Sequence, residues 1–229
     1  MKADGIEHIF FDLDHTLWDF EKNSALTFKK ILADHKINVD ANQFINTYIP
    51  LNEAYWKLYQ DGKIDKEELR YKRLKTAFDA LDAWVEDSII HTLSEDYISH
   101  LPNYTHLFEH TVDVLEYLKP KYGLHIITNG FQEVQFGKLK NANIHHYFEH
   151  IINSESVGVK KPDPKIFNFA LQLVNVSPEK TVMIGDNLEA DILGAQNVGM
   201  HTIHFNSTNG AFTEGRVTIN SLLEIKRYL

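Results

Sequence analysis

Phe10-Phe11-Asp12-Leu13-Asp14-His15-Thr16 is an apolar run that ends in two carboxylates separated by one residue. Residues two apart on a strand point to the same side, so Asp12 and Asp14 would leave the end of a buried strand aimed at one small volume. Like charges that close repel each other. The pairing calls for a divalent cation between them, or for acid/base work in which one carboxyl keeps its proton.

The rest of the chain is globular in composition. With 229 residues, 43% hydrophobic and 24% charged, it can bury a core without covalent staples, as one large domain or as a core carrying a sizeable insertion. There is no cysteine, which removes disulfides, thiolate catalysis and cysteine-ligated zinc or iron, and suits a reducing compartment. The stretch from Met1 to Glu7 carries Lys2, Asp4 and Glu7 and has no apolar signal segment; no uncharged apolar run approaches the roughly 20 residues that span a bilayer. The expectation is a cytoplasmic protein with no membrane partner. A net charge of -9 argues against a nucleic acid polymer as partner, while leaving room for one small anionic substrate held by a local cation.

Five strand-like runs are rich in Ile, Val, Phe and Thr: His8 to Asp14, Leu124 to Asn129, His150 to Ser154, Thr181 to Asp186 and His201 to Asn206. Most are apolar throughout, the pattern of strands covered on both faces. Helical patterns lie between them. Leu107, Thr111, Leu115 and Leu118 form one, with Gly123 placed as its stop. Phe167, Ala170, Leu171 and Val174 form another, opened by Asp163 as N-cap and Pro164 as first residue. Leu188 to Asn197 reads as a third, closed by Gly199, and Ser221 with Glu224 as a capping box for a short helix from Leu222 to Leu229. Alternating strands and helices predict an α/β fold, a doubly wound (Rossmann-like) parallel sheet.

Residues 17 to 104 break this rhythm. Phe28, Ile31, Leu32 and His35 share one helical face and Leu74, Ala77, Phe78 and Leu81 another; Asp65 and Glu68 make a capping arrangement, and Pro50 is expected to kink or divide a helix from Ala41 to Gln60. The reading is a catalytic core of residues 1 to 16 and 105 to 229, interrupted by an α-helical cap domain of residues 17 to 104.

In such a sheet, ligands bind outside the carboxyl ends of the strands where strand order reverses. Four of the five runs are followed by a compact polar cluster: Asp12 and Asp14 with Thr16; Thr128-Asn129-Gly130; Lys160-Lys161-Pro162; and Asp186 to Asp191. Any one alone is an ordinary turn or cap. All four would face one crevice.

Together they resemble the haloacid dehalogenase superfamily, in particular its magnesium-dependent phosphatase branch. Asp12-Leu13-Asp14-His15-Thr16 is similar to the first family motif, Thr128 to the second, Lys161 before Pro162 to the third, and Gly185-Asp186-Asn187-Leu188-Glu189-Ala190-Asp191 to the fourth. The resemblance implies that Asp12 is the nucleophile of an aspartyl-phosphate mechanism and Asp14 its general acid and base. It implies Mg²⁺ held by Asp12, the main-chain carbonyl of Asp14 and Asp186. Thr128 and the main chain of Asn129 and Gly130 would bind phosphoryl oxygens, Lys161 would neutralise the phosphoryl group, and Thr16 would support the nucleophile. Asp191 and Asn187 would act from behind the metal. His15 stands where a Gly is most common.

The insertion occupies the place of the family's helical cap, a lid that admits small substrates. Trp18, Tyr48, Tyr55, Trp56 and Trp84 are candidates by type for its specificity residues, although aromatics at helical spacing usually pack a core. The opening Asp-His-Thr-Leu-Trp-Asp-Phe-Glu, the long cap and the Thr-Asn-Gly motif look most like the pyrimidine 5'-nucleotidases of the family. A sugar-phosphate phosphatase or a phosphomutase shares the architecture, and a metal-independent 2-haloacid dehalogenase is disfavoured by Asp14 and Asp186. The partner implied is a small phosphorylated metabolite, handled by a monomer or homodimer. His145, His146 and His150 lack a zinc-site pattern and read as solvated surface; Asn206-Ser207-Thr208 is a glycosylation sequon by pattern only.

Overall fold

The computed structural model describes residues 5–207 and 216–229. The segment from Met1 to Asp4, and Thr208 of the sequon, lie outside the described residues. The chain divides into two compact units, one of Met1–Phe20 with Thr105–Leu229 and the other of Glu21–Tyr104.

The first unit is built on a parallel sheet. Its strands are β1 (His8–Phe11), β2 (Gly123–Thr128), β3 (His150–Asn153), β4 (Thr181–Gly185), β5 (His201–Phe205) and β6 (Thr218–Ile219), in the order β3-β2-β1-β4-β5-β6. β1 pairs with β2 on one side and β4 on the other, Phe11 lying opposite both Ile126 and Ile184. Five of the six residues of β2 and all five of β4 are buried, which is why these runs show no alternation. One face of the sheet packs Phe10, Ile127, Ile152 and Met183 against Ile166, Phe167, Ala170 and Leu171 of the helix Pro164–Val174. That helix is opened by Asp163, whose side chain accepts from the Lys165 amide, with Pro164 in its first turn.

Several local expectations change. Gly123 is the first residue of β2 and not a helix stop. A Cβ there would lie 2.3 Å from His8 Nδ1, so its role is to make room for a side chain of the neighbouring strand. The helix expected from Leu188 to Asn197 is a π-helical turn, Leu188–Leu193, followed by the short helix Gly194–Asn197. The Ser221 capping box is present but opens a 3₁₀ helix, Leu222–Arg227. Residues 17 to 20 belong to the first unit: Trp18 bridges Asp14 and Leu107 and is fully buried, so it is no cap residue.

The second unit is all helical, with Ala41–Gln60, Lys66–Ala80 and Asp87–His100 lying wholly within it. Pro50 sits inside the uninterrupted helix Ala41–Gln60 and does not divide it. Asp65 and Glu68 cap Lys66–Ala80 reciprocally. The core is aromatic. Phe28 meets Phe44, Tyr48 and Tyr97 with ring centroids 4.5 to 5.1 Å apart. Arg73 is buried beside them, 5.1 Å from the Tyr97 ring, and donates to Asn52 Oδ1. Tyr48 is therefore core, whereas Trp84 is 88% exposed.

Because Phe28 touches three rings at once, Phe28→Ala should leave a cavity and destabilise the chain by about 3 to 5 kcal/mol, read as a lowered urea midpoint. A midpoint unchanged in that variant would contradict the packing described.

Candidate active site

Strand order reverses between β1 and β4, so the loops after these two strands flank the crevice at the carboxyl edge of the sheet. The Asp12 amide donates to Ile184 O and prolongs the β1–β4 pairing by one residue. The chain then turns sharply: the amides of Thr16, Leu17 and Trp18 all converge on Leu13 O, and His15 takes the left-handed conformation at φ 63°. This turn sends Asp12 and Asp14 into different surroundings.

Asp12 meets Lys161. The Lys161 ammonium, almost fully buried, donates to Asp12 Oδ1 at 2.6 Å, Asp191 Oδ1 at 2.6 Å and Ile127 O at 2.7 Å, which uses all three of its hydrogens. Burial opposes its charge, but Asp12 and Asp191 outweigh that and hold the lysine pKa above its ordinary value. Burial also pushes Asp12 well above the usual carboxylate range, against the pull of Lys161 and with the push of Asp191 and Asp186. Asp186 rises to about 7, from burial first and Asp191 next. One ammonium thus faces three carboxylates.

The supports of this group come from the loops themselves. Asp191 Oδ2 accepts from the Asn187 amide, and Asn187 Oδ1 caps the π-helical turn at Ala190. A Cβ on Gly185 would lie 2.3 Å from Asp191 Oδ2, so this strand end tolerates only glycine beside the acid. Asn129 and Lys161 exchange hydrogen bonds, Asn129 Nδ2 to Lys161 O and Lys161 N to Asn129 Oδ1, locking the loops after β2 and β3 together.

Asp14 has separate partners. Lys138 Nζ lies 2.7 and 2.9 Å from its two oxygens, and Gln135 Nε2 donates to Oδ2 at 3.0 Å. The same Gln135 nitrogen donates to Thr128 Oγ1 at 2.7 Å. Lys138 is itself buried, its ammonium 4.4 Å from the Trp18 ring centroid. Sequence reasoning missed both residues. Their spacing of three on the helix Gln132–Asn141, just past Thr-Asn-Gly, puts them on one face, but a Gln and a Lys there read as solvated surface.

Asp12, Lys161, Asp186 and Asp191 are brought into one cluster; Thr128 is joined to Asp14 through Gln135. Two expectations change. Thr16 is fully buried and donates to Asp186 Oδ1 at 3.2 Å, so it supports Asp186 and neither the nucleophile nor a substrate. The Gly130 amide, expected on a phosphoryl oxygen, donates to Thr128 Oγ1 at 3.1 Å; a Cβ there would lie 1.9 Å from the Gln135 amide nitrogen, so Gly130 makes room for Gln135. Thr128, accepting two hydrogen bonds, keeps its own hydroxyl proton to donate.

The cluster fits a cation. Asp12, Asp186 and Asp191 each offer a carboxylate oxygen, all within 4.8 Å of one another, a hard all-oxygen set suited to a divalent ion. Both Asp191 oxygens are engaged by Lys161 and Asn187, which leaves Asp12 and Asp186 as the pair facing an ion. Burial first, and the neighbouring carboxylates after it, raise the pKa values of those two, and a divalent ion between them would favour their charged forms.

The chain is 31% identical over 227 residues to pyrimidine 5'-nucleotidase YjjG of Escherichia coli (strain K12), 96% of each sequence being covered. It is 33% identical over 208 residues to glyceraldehyde 3-phosphate phosphatase of Pyrococcus furiosus, covering 87% of this chain and 80% of that one. In three dimensions it superposes on YfnB of Bacillus subtilis, solved with magnesium bound, with a TM-score of 0.87, 26% identity and 97% of each chain covered. A profile of the haloacid dehalogenase-like hydrolases matches residues 6–199, and the chain belongs to that family.

Proposed function

We propose that the chain is a magnesium-dependent, cytoplasmic phosphomonoesterase that works through an aspartyl-phosphate on Asp12 and acts on a small phosphorylated metabolite, a nucleoside 5'-monophosphate first. The observation that carries this reading is the division of the carboxylate pair: Asp12 rests on Lys161 beside Asp186, while Asp14 is held apart by Lys138 and Gln135. Two carboxyls in contrasting environments are what separate nucleophilic and acid/base roles require.

Lys161 occupies Asp12 Oδ1, so Oδ2 attacks phosphorus while the bond from phosphorus to the substrate oxygen breaks. Asp14, as the acid, gives its proton to the departing oxygen. Asp14 then takes a proton from water, whose oxygen attacks phosphorus; the bond to Asp12 breaks, returning its carboxylate and releasing inorganic phosphate. Lys161 offsets negative charge on Asp12 in both steps, and the free hydroxyl proton of Thr128 is offered to a phosphoryl oxygen. Mg²⁺, held by Asp12, Asp186 and the Asp14 carbonyl, would supply the remaining charge neutralisation. The relation to YjjG over nearly its whole length favours a pyrimidine nucleotide, and that to the Pyrococcus enzyme makes triose and other sugar phosphates the alternative.

Phosphate release from a panel of nucleoside 5'-monophosphates and sugar phosphates should require Mg²⁺, be fastest on the pyrimidine nucleotides, and fall on the order of 10³-fold or more in Asp12→Asn. Release that survives chelation or that substitution would sink the mechanism. Lys138→Met should lower kcat by about 10 to 10²-fold on an alkyl phosphate with KM little changed, because Asp14 loses its orientation. The loss should shrink on p-nitrophenyl phosphate, whose leaving group needs little protonation; equal losses on both would reduce Lys138 to a structural residue.

A further inference from the structure

At the opposite end of the sheet from Asp12, the strand register gathers three histidines. Phe10 of β1 stands opposite His125 of β2, and His125 opposite His150 of β3, while His8 stands opposite Gly123. Cross-strand partners and residues two apart share a face, so His8, His125 and His150 all project from the same side. The missing side chain of Gly123 lets the His8 ring lie over toward His125: a Cβ at that position would be 2.3 Å from His8 Nδ1 and 3.2 Å from His125 Nε2. His8 Nδ1 and His125 Nε2 are consequently 2.9 Å apart. His150 stacks on the far side of His125 at 5.3 Å, the planes 14° apart, and fixes its orientation.

Glu149, the residue before β3, completes the group. Its carboxylate and one nitrogen from each of His8 and His125 lie within 4.8 Å of one another. Its carboxylate makes an ion pair with Lys119 at 3.4 Å, on side chains 47% and 35% exposed, which is weak. His125 is fully buried; its Nε2 faces His8, while Nδ1, on the other edge of the ring, has no hydrogen-bond partner among the described residues.

We propose a second metal site here, formed by His8, His125 and Glu149 and suited to a divalent transition ion such as zinc. Two imidazoles and a carboxylate are a known three-ligand zinc set with the fourth position open. Zinc bonds of about 2.0 to 2.1 Å in tetrahedral geometry place two nitrogens roughly 3.3 Å apart, so the ring of partly exposed His8 needs to swing outward by only about 0.4 Å. The ring that donates the shared hydrogen switches to its other neutral tautomer as an ion binds, giving up the proton at the facing nitrogen and carrying one on its far nitrogen. Burial first, then the neighbouring His8 and His150, lower the His125 pKa to about 3, so its imidazole is neutral and ready to ligate. An ion here would tie the first residues of β1 and β2 to the start of β3, some 13 Å along the strand from the carboxylate cluster.

The test uses full-length protein stripped with chelator and carrying Asp186→Asn, which disables the carboxylate cluster, titrated with Co²⁺ as a spectroscopic probe and Zn²⁺ as competitor. One saturable equivalent with visible cobalt bands, displaced by Zn²⁺, is expected. Adding His8→Ala should weaken it on the order of 10²-fold or more, and Glu149→Gln about 10-fold or more. Zn²⁺ should raise the Tm of the parent and not of the His8→Ala variant. Neither residue belongs to the catalytic cluster, so both single variants in the otherwise native chain should keep magnesium-dependent phosphate release, a readout independent of this proposal. Absence of a saturable equivalent, or one indifferent to His8→Ala, would overturn it.

Discussion

The Lys161 ammonium is the contact on which the catalytic end of the molecule depends. Its three hydrogens go to a carboxylate after β1, a carboxylate of the turn after β4 and a carbonyl of β2, so one buried charge joins three strands. Removing either partner of such a buried pair leaves an uncompensated charge, a cost of about 3 to 5 kcal/mol in comparable sites. The neighbouring features follow from that demand. Gly185 gives Asp191 its space, Asn187 holds its second oxygen, and Asn129 grips both sides of the Lys161 peptide.

A second buried lysine does the corresponding work for Asp14. Lys138 and Gln135 draw that carboxylate away from Asp12, so the repulsion implied by two acids one residue apart is relieved by divergence as well as by cations. Gln135 also donates to Thr128, which couples the Asp14 carboxylate to the Thr128 hydroxyl. One amide nitrogen links the two side chains.

Fold class was legible because the central strands are buried on both faces and carry continuous apolar runs, and because helix starts such as Asp163-Pro164 and Asp65 with Glu68 are local chemistry. β6 spans two residues, too short for any pattern. Pro50 misled because a proline excludes one hydrogen bond without ending a helix whose neighbours pack well. At the site, residues with a strand end just before them could be placed by topology, but hydrogen-bond direction could not. Thr16 could serve either flanking acid, and only the approach of β4, 170 positions later, assigns it to Asp186. Lys138 and Gln135 stay hidden for a related reason: polar residues on a helix read as solvated until the fold covers them. The histidines show the converse: of His145, His146 and His150, read together as solvated surface, His150 is a half-buried residue of β3 stacked on His125, and His8 and His125, more than a hundred residues apart, are the pair that meet.

The placement of β1 between β2 and β4 also governs how the molecule comes together. Asp12 and Lys161 are 149 positions apart, and the whole helical unit intervenes between β1 and either of its partners. During synthesis β1 emerges first and must wait, unpaired and apolar, until more than half of the chain has followed. Loop closure over such separations makes folding slow and leaves a sticky strand exposed meanwhile. The helical unit, whose contacts are local, is free to fold during that interval, and by drawing residues 20 and 105 together it would shorten the effective loop that β1 has to close. An insertion that interrupts the core in sequence thus becomes an aid to completing it in time.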